Sequence, residues 1–212
     1  MVASILYTEP ASPDSLRALL ALTLCRIRCE LREIDPQNPP DDFRMVSMRS
    51  SLPLLVQSNG NVVERSHDLL YWAVETQDPA GLWPDNVIRQ QSIRNLIQTH
   101  DASLALTLRE YPSALDGHKL AAARMEAEVF LAQLEARLSR NERLVGEKTT
   151  LADIAIFPFV HRLAQIDRNW FNMSPYRNIR RWIKLYAVDA CVVQCMAPRP
   201  FWSHDASPRV IG

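Results

Sequence analysis

Residues 50–73, SSLPLLVQSNGNVVERSHDLLYWA, constrain the fold more than any other stretch of the chain. Leu54–Gln57 and Val62–Glu64 are short apolar runs on either side of Ser58-Asn59-Gly60-Asn61. The Asn-Gly pair at that position is a strong signal for a tight hairpin. A helix is expected from Ser66 to about Glu75. Pro53 lacks an N–H to give a ladder, so it belongs at the first residue of a strand or on a sheet edge.

The residues before this segment extend the pattern. Ser4–Tyr7 is β-prone, TEPASPD is rich in turn residues, and LRALLALTLCRI carries leucines at helical spacing. Pro13 suits the first turn of that helix, where its missing N–H costs nothing. Cys29–Ile34 is a further strand, and DPQNPPDDFRMVS is a loop holding one irregular helix. The order over residues 1–77 is thus β-α-β-(α)-β-β-α. Gln77–Pro84 is a linker, and beyond it the strands stop. Val87–Thr107, Gly117–Leu138, Leu151–Ile166 and Tyr176–Asp189 all have helical period. The switch from mixed to all-helical patterning predicts two domains, 1–77 and 85–212.

The 24 basic and 24 acidic side chains cancel, so no global field favours nucleic acid or a membrane surface. The opening MVASILYTEP lacks the basic and long apolar regions of a signal peptide, and no apolar run approaches the ~20 residues a membrane helix needs. A cytoplasmic protein is expected. Cys25/Cys29 and Cys191/Cys195 are each four apart, which places each pair on one helix face. They read as buried thiols rather than as a metal or disulfide site. The five histidines are scattered, no Gly-rich phosphate loop is visible, and no metal is expected.

A proline before the third strand of such a domain resembles the cis-proline of the thioredoxin-like fold. It implies that Leu52 offers its backbone N–H and C=O to an extended peptide. Longer stretches are similar to cytosolic glutathione S-transferases over nearly the whole chain. LYTEPASPDSLRALLAL resembles LYSxxxCPxxxRxxLAL, and SMRSSLPLLV resembles SPKGxVPVLV. VVERSHDLLYW resembles VIxESxxIxxY/W, VGEKTTLADIAIFPFV resembles GxxxSxADIAxFPFV, and WFNMSPYRNIRRWI resembles WFxxxPYPNVxxWL. The resemblance implies an α/β thioredoxin-like N-terminal domain with a mixed sheet, followed by an all-α C-terminal helical bundle, in a homodimer. Thr150 and Asp153 have the spacing of a capping box, a structural role.

The substrates implied are glutathione, as co-substrate, and a small hydrophobic electrophile. Ser12 stands where many relatives have cysteine. A serine cannot exchange disulfides, but its O–H can stabilise a thiolate at a helix N-terminus. Tyr7 is the second candidate for that donor, or else a structural tyrosine. Leu52 and Pro53 would meet the glutathione backbone. Ser66 would take the γ-glutamyl carboxylate with its hydroxyl and N–H, helped by the helix dipole. Arg49 either meets the glycyl carboxylate or is a solvated loop charge. Tyr111, Trp170 and Phe171 are candidates for an electrophile pocket, or else core aromatics.

The residue before the serine in this family is usually glutamate, aspartate or glutamine, accepting from the γ-glutamyl ammonium. Here it is Arg65, which can only donate. Glu64 shifted by one register, Asp68 reaching back, or a different ligand would each reconcile this. The function implied is addition of glutathione to small electrophiles, or isomerisation of an activated acid. The alternative is a non-catalytic regulatory or ligand-binding protein on the same fold.

Overall fold

Parallel pairing of β1 (Ile5–Thr8) with β2 (Cys29–Glu33) is the centre of the first unit. The computed structural model describes residues 4–47, 49, 51–109 and 117–212. The other elements, in chain order, are α1 (Pro13–Leu24), α2 (Asp41–Val46), β3 (Leu54–Val56), β4 (Val62–Glu64) and α3 (Ser66–Thr76). These are followed by α4 (Val87–Asp101), α5 (Leu104–Arg109), α6 (Gly117–Leu138), α7 (Leu151–Ile166) and α8 (Arg168–Met173). The chain ends with α9 (Arg177–Ala187), α10 (Ala190–Met196) and β5 (Val210–Ile211). Among the described residues the sheet has the order β4-β3-β1-β2-β5. Its β1–β3, β3–β4 and β2–β5 pairs are antiparallel, so the sheet is mixed, as expected.

The hairpin closes as the Asn-Gly signal implies. Gly60 N–H donates to the Gln57 carbonyl at 2.9 Å, and Gln57 N–H to that of Asn61 at 2.8 Å. Gly60 takes φ +86°, which glycine adopts without a Cβ clash. Helix α1 buries Leu19, Leu20 and Leu22, each burial contributing about 1.5–3 kcal/mol.

The second unit, Leu82–Val188, is helical and built around α7. Asp153 is fully buried there. Its carboxylate accepts from Thr150 N–H (2.9 Å), Thr150 Oγ1 (3.0 Å), Leu144 N–H (3.0 Å) and Trp182 Nε1 (3.0 Å). The expected capping box is present, and it also ties α7 to α9 and to the loop before α7.

Five features differ from the expectations. The helix expected over 87–107 is broken into α4 and α5, because Ser103 turns back: its N–H donates to the His100 carbonyl and its Oγ to that of Thr99. Asp189 does not end a helix; its carboxylate caps α10, accepting from Cys191 and Val192 N–H at 2.9 and 3.1 Å. The strands do not stop after the hairpin, since β5 adds to the edge of β2. Residues Asp189–Gly212 accordingly belong with Met1–Gly81, not with the helical unit, unlike the expected 85–212 boundary. Cys25 and Cys29 do not share a helix face: Cys25 caps the end of α1 and Cys29 lies in β2.

Candidate active site

Ser12 is the N-cap of α1, extended at φ −75°, ψ 125°, with Pro13 following. Its carbonyl accepts from Leu16 N–H at 3.0 Å and its Oγ from Ser15 N–H at 3.4 Å. A hydroxyl that accepts in a cap still carries a proton to donate, so the cap is compatible with donation to an anion. Behind it, Glu9 N–H donates to Ser15 Oγ at 2.9 Å. Burial pushes the Glu9 carboxyl above its ordinary range, as do the Asp14 and Asp35 carboxylates.

Ser66 opens α3 and is 3% exposed. Its Oγ accepts from Arg17 Nε at 3.0 Å and Nη2 at 2.5 Å, and its proton goes to Asp14 Oδ1. Arg17 Nη2 also lies 3.4 Å from Asp14 Oδ1. Arg17 is itself only 2% exposed, a buried cation held by a carboxylate and a hydroxyl. This cluster draws the N-termini of α1 and α3 together, and with them Ser12 and Ser66. Neither Arg17 nor Asp14 stood out in the sequence. The available signal was a lone charged residue inside the apolar run LRALLAL, with Asp14 three positions before it.

Arg65 occupies the N-cap position of α3 at φ +70°, ψ 132°, and makes no side-chain cap bond. Its guanidinium turns to Asp68, with Nη2–Oδ2 2.7 Å, and remains 64% exposed. Glu64 keeps its register in β4 opposite Leu54 and faces Arg49, Nε–Oε2 3.8 Å. Neither acidic neighbour has therefore taken over position 65.

The Leu52–Pro53 peptide is cis, as the resemblance implied. The Leu52 side chain packs against the cluster of Tyr7, Ile34, Phe43 and Leu54. Tyr7 lies inside that cluster, its ring 5.3 Å from Phe43 and its hydroxyl accepting from Arg32 Nη1 at 3.1 Å. Burial raises the Tyr7 hydroxyl above its ordinary pKa, against the pull of Arg32. In the helical unit, Phe171 is buried and Trp170 half-buried, with the Arg124 guanidinium 5.7 Å from its ring. Tyr111 lies outside the described residues.

The cysteines are free. Burial pushes the Cys25 and Cys29 thiols up to about 12, so neither supplies a thiolate at neutral pH. Cys195 is the exception in direction, lowered by a hydrogen bond from Cys191.

The glutathione S-transferase N-terminal domain family matches residues 6–81, and the glutathione S-transferase C-terminal domain family matches residues 118–185. The chain belongs to the glutathione S-transferase superfamily. Among curated relatives it is similar to the glutathione S-transferase GstB of Escherichia coli K12, 23% identical over 154 residues, covering 68% of this chain and 73% of that one. Among solved structures it resembles the unclassified glutathione S-transferase 2 of Bombyx mori, with TM-score 0.80, 17% identity and 92% of each chain covered. It also resembles a glutathione transferase homologue from Sulfitobacter with bound glutathione, with TM-score 0.76 and 15% identity, covering 92% of this chain and 97% of that one. In this transferase-fold chain Ser12 caps α1, Ser66 opens α3, and the bond before Pro53 is cis.

Proposed function

We propose that this protein binds glutathione in the first unit, lowers the pKa of its thiol, and adds the thiolate to small hydrophobic electrophiles or uses it to isomerise an activated acid. The observation that carries this reading is the convergence of the α1 and α3 N-termini through Arg17, Asp14 and Ser66. Two N-terminal dipole ends at one place favour an anionic ligand. Ser12 then donates its O–H to the thiolate, and each unit of lowered pKa corresponds to ~1.4 kcal/mol. Ser66 offers its N–H to the γ-glutamyl carboxylate, Leu52 and Pro53 meet the peptide backbone, and Arg49 meets the glycyl end. Tyr7 is the lesser candidate for the thiolate donor, because its hydroxyl faces Arg32. Trp170, half-buried in the helical unit, is assigned to the electrophile side.

A cytoplasmic homodimer is part of this proposal. Exposed Met125 and Val129, four apart on α6, support an apolar surface for a second copy. Sedimentation analysis reads the dimer directly. The test of the chemistry is the pH dependence of bound glutathione thiolate, with turnover of 1-chloro-2,4-dinitrobenzene, in wild type and Ser12→Ala. Loss of one hydrogen bond to a charged group corresponds to a roughly 10- to 100-fold drop in kcat/KM. Equal thiol pKa and equal turnover in the two proteins would remove Ser12 from the mechanism.

Arg65 favours a second reading, a ligand-binding protein without turnover. Glutathione binding with no conjugation of any electrophile, in wild type and Arg65→Glu alike, would select it.

A further inference from the structure

We infer that Cys191 and Cys195, one turn apart on α10, form a peroxide-oxidisable dithiol whose sulfurs join in a disulfide within that helix. This modification site does not depend on the glutathione reading above.

Spacing sets the pair apart from Cys25 and Cys29, which lie on different elements. Residues four apart on a helix share a face, with Cα atoms about 6 Å apart. A disulfide spans Cα separations of roughly 4.4–6.8 Å. Its Cβ atoms must tilt together, and α10 meets that by loosening one turn, being only seven residues long with Val193 and Gln194 exposed. The two sulfurs already touch, because the Cys191 S–H donates to Cys195. The Cys195 Sγ also lies 3.7 Å from Thr23 Oγ1 on α1, donating to it as a thiol and able to accept from it as a thiolate. Four residues on, Arg199 Nη1 donates to the Cys195 carbonyl at 2.9 Å, which keeps its guanidinium beside this end of α10.

These contacts favour one negative charge on the pair. The hydrogen bond from Cys191, with the Thr23 hydroxyl and the Arg199 guanidinium, lowers the Cys195 thiol against burial and the Asp189 carboxylate. Cys191, which gives that hydrogen bond, is raised and keeps its proton. The thiolate is the nucleophile, so Cys195 attacks and Cys191 resolves. Cys195 is 5% exposed and Cys191 half-buried, which favours an oxidant as small as hydrogen peroxide.

In the first step the Cys195 sulfur attacks the peroxide, and an S–O bond forms as the O–O bond breaks. The departing hydroxide takes the Cys191 proton and leaves as water. The Cys191 sulfur then attacks Cys195, the S–O bond breaks, and the released hydroxide takes a proton from solvent. The two sulfurs together lose two electrons, and the peroxide is reduced to water.

The experiment treats the native protein with equimolar hydrogen peroxide, alkylates the remaining thiols and weighs the peptides. The peptide holding Cys191 and Cys195 is expected to be unalkylated and lighter by its two thiol hydrogens, and dithiothreitol should restore it. Cys25 and Cys29, whose thiols burial pushes up to about 12, should still be alkylated. Cys191→Ser should stop at a sulfenic acid on Cys195 that dimedone labels. Cys195→Ser, or Cys195→Ala where the serine destabilises, should slow peroxide consumption by about 10-fold or more, because an ordinary thiol is mostly protonated at neutral pH. An unmodified pair in wild type, under conditions that oxidise free glutathione, would overturn the inference. So would a disulfide between two chains, or oxidation of Cys25 and Cys29 as fast as that of the pair. Dimedone labelling of Cys191 in Cys195→Ser at the wild-type rate would also overturn it, by making Cys191 the attacking thiol.

Discussion

The Arg17 guanidinium on α1 lies 3.0 Å, through Nε, from the Ser66 hydroxyl on α3, joining residues 49 positions apart. Arg17 is 2% exposed, and breaking a buried charge pair by removing one partner typically costs about 3–5 kcal/mol. Arg17→Met should lower unfolding free energy by about that much, read from urea denaturation. The Arg17→Met/Asp14→Asn double variant should recover part of the loss, because it no longer leaves a carboxylate without its cation. A double variant as unstable as the sum of the single changes would show that the pair is not coupled.

Arg65 holds a backbone conformation, φ +70°, ψ 132°, that side chains with a Cβ rarely adopt. Such residues cost about 1–3 kcal/mol each. Its exposed pairing with Asp68 offsets little, since surface ion pairs contribute about 0–1 kcal/mol. Arg65→Gly should therefore stabilise the protein by about 1 kcal/mol after glycine's entropic cost, raising Tm by about 2–4 °C. A fall in Tm would mean that the Arg65 side chain stabilises the loop more than its backbone strains it.

Asp153 satisfies four donors from three segments of the helical unit. Asp153→Ala leaves those donors buried without an acceptor, at about 1–3 kcal/mol each when nothing relaxes. A loss of at least about 3 kcal/mol is expected in chemical denaturation. A loss under about 1 kcal/mol would be the size of a helix cap alone and would count against the hub.

His161 sits against Phe157, ring centroids 5.4 Å apart, and burial lowers its pKa from the ordinary 6.5. Between that lowered native value and 6.5, the unfolded chain binds a proton that the native protein does not. Stability carried by neutral His161 is thus present above pH 6.5 and is lost as pH falls through that window. His161→Phe should flatten the slope of Tm against pH below 6.5 relative to wild type. An unchanged slope would assign the acid sensitivity to other groups.

The Arg32 guanidinium packs 4.1 Å from the Trp202 ring and also meets Tyr7, Glu30 and Asp42. Trp202 N–H donates to the Glu33 carbonyl at 2.7 Å. Trp202→Ala should loosen the tail strand, and faster amide exchange at Leu31, whose N–H donates to the Arg209 carbonyl at 2.7 Å, is the readout. Unchanged exchange at Leu31 would show that β5 holds without the tryptophan.

What could be read from the sequence was what neighbouring residues decide among themselves. Gly117–Leu138 and Leu151–Ile166 were legible as helices from their period, the hairpin from Asn59-Gly60, and the Thr150–Asp153 box from a three-residue spacing. Ser12 and Ser66 were legible because each stands at a helix N-terminus whose start signals lie within a few positions. Where local signals competed, the reading failed: Ser103 sits in an unbroken helical period, yet the chain turns there, its N–H donating three residues back to the His100 carbonyl just past the end of α4.

Tertiary structure alone decided the rest, because those features depend on partners far along the chain. No local pattern tells that Val210–Ile211 pairs with a strand some 180 residues earlier, since two residues carry almost no β signal until an open edge receives them. Nor does LRALLAL tell that Arg17 turns inward, because a buried cation is tolerable only where Asp14 and Ser66 have been brought to it. The sequence determined most of the elements and the two helix ends at Ser12 and Ser66. Long-range packing determined that these ends meet, and which charges face the place where they do.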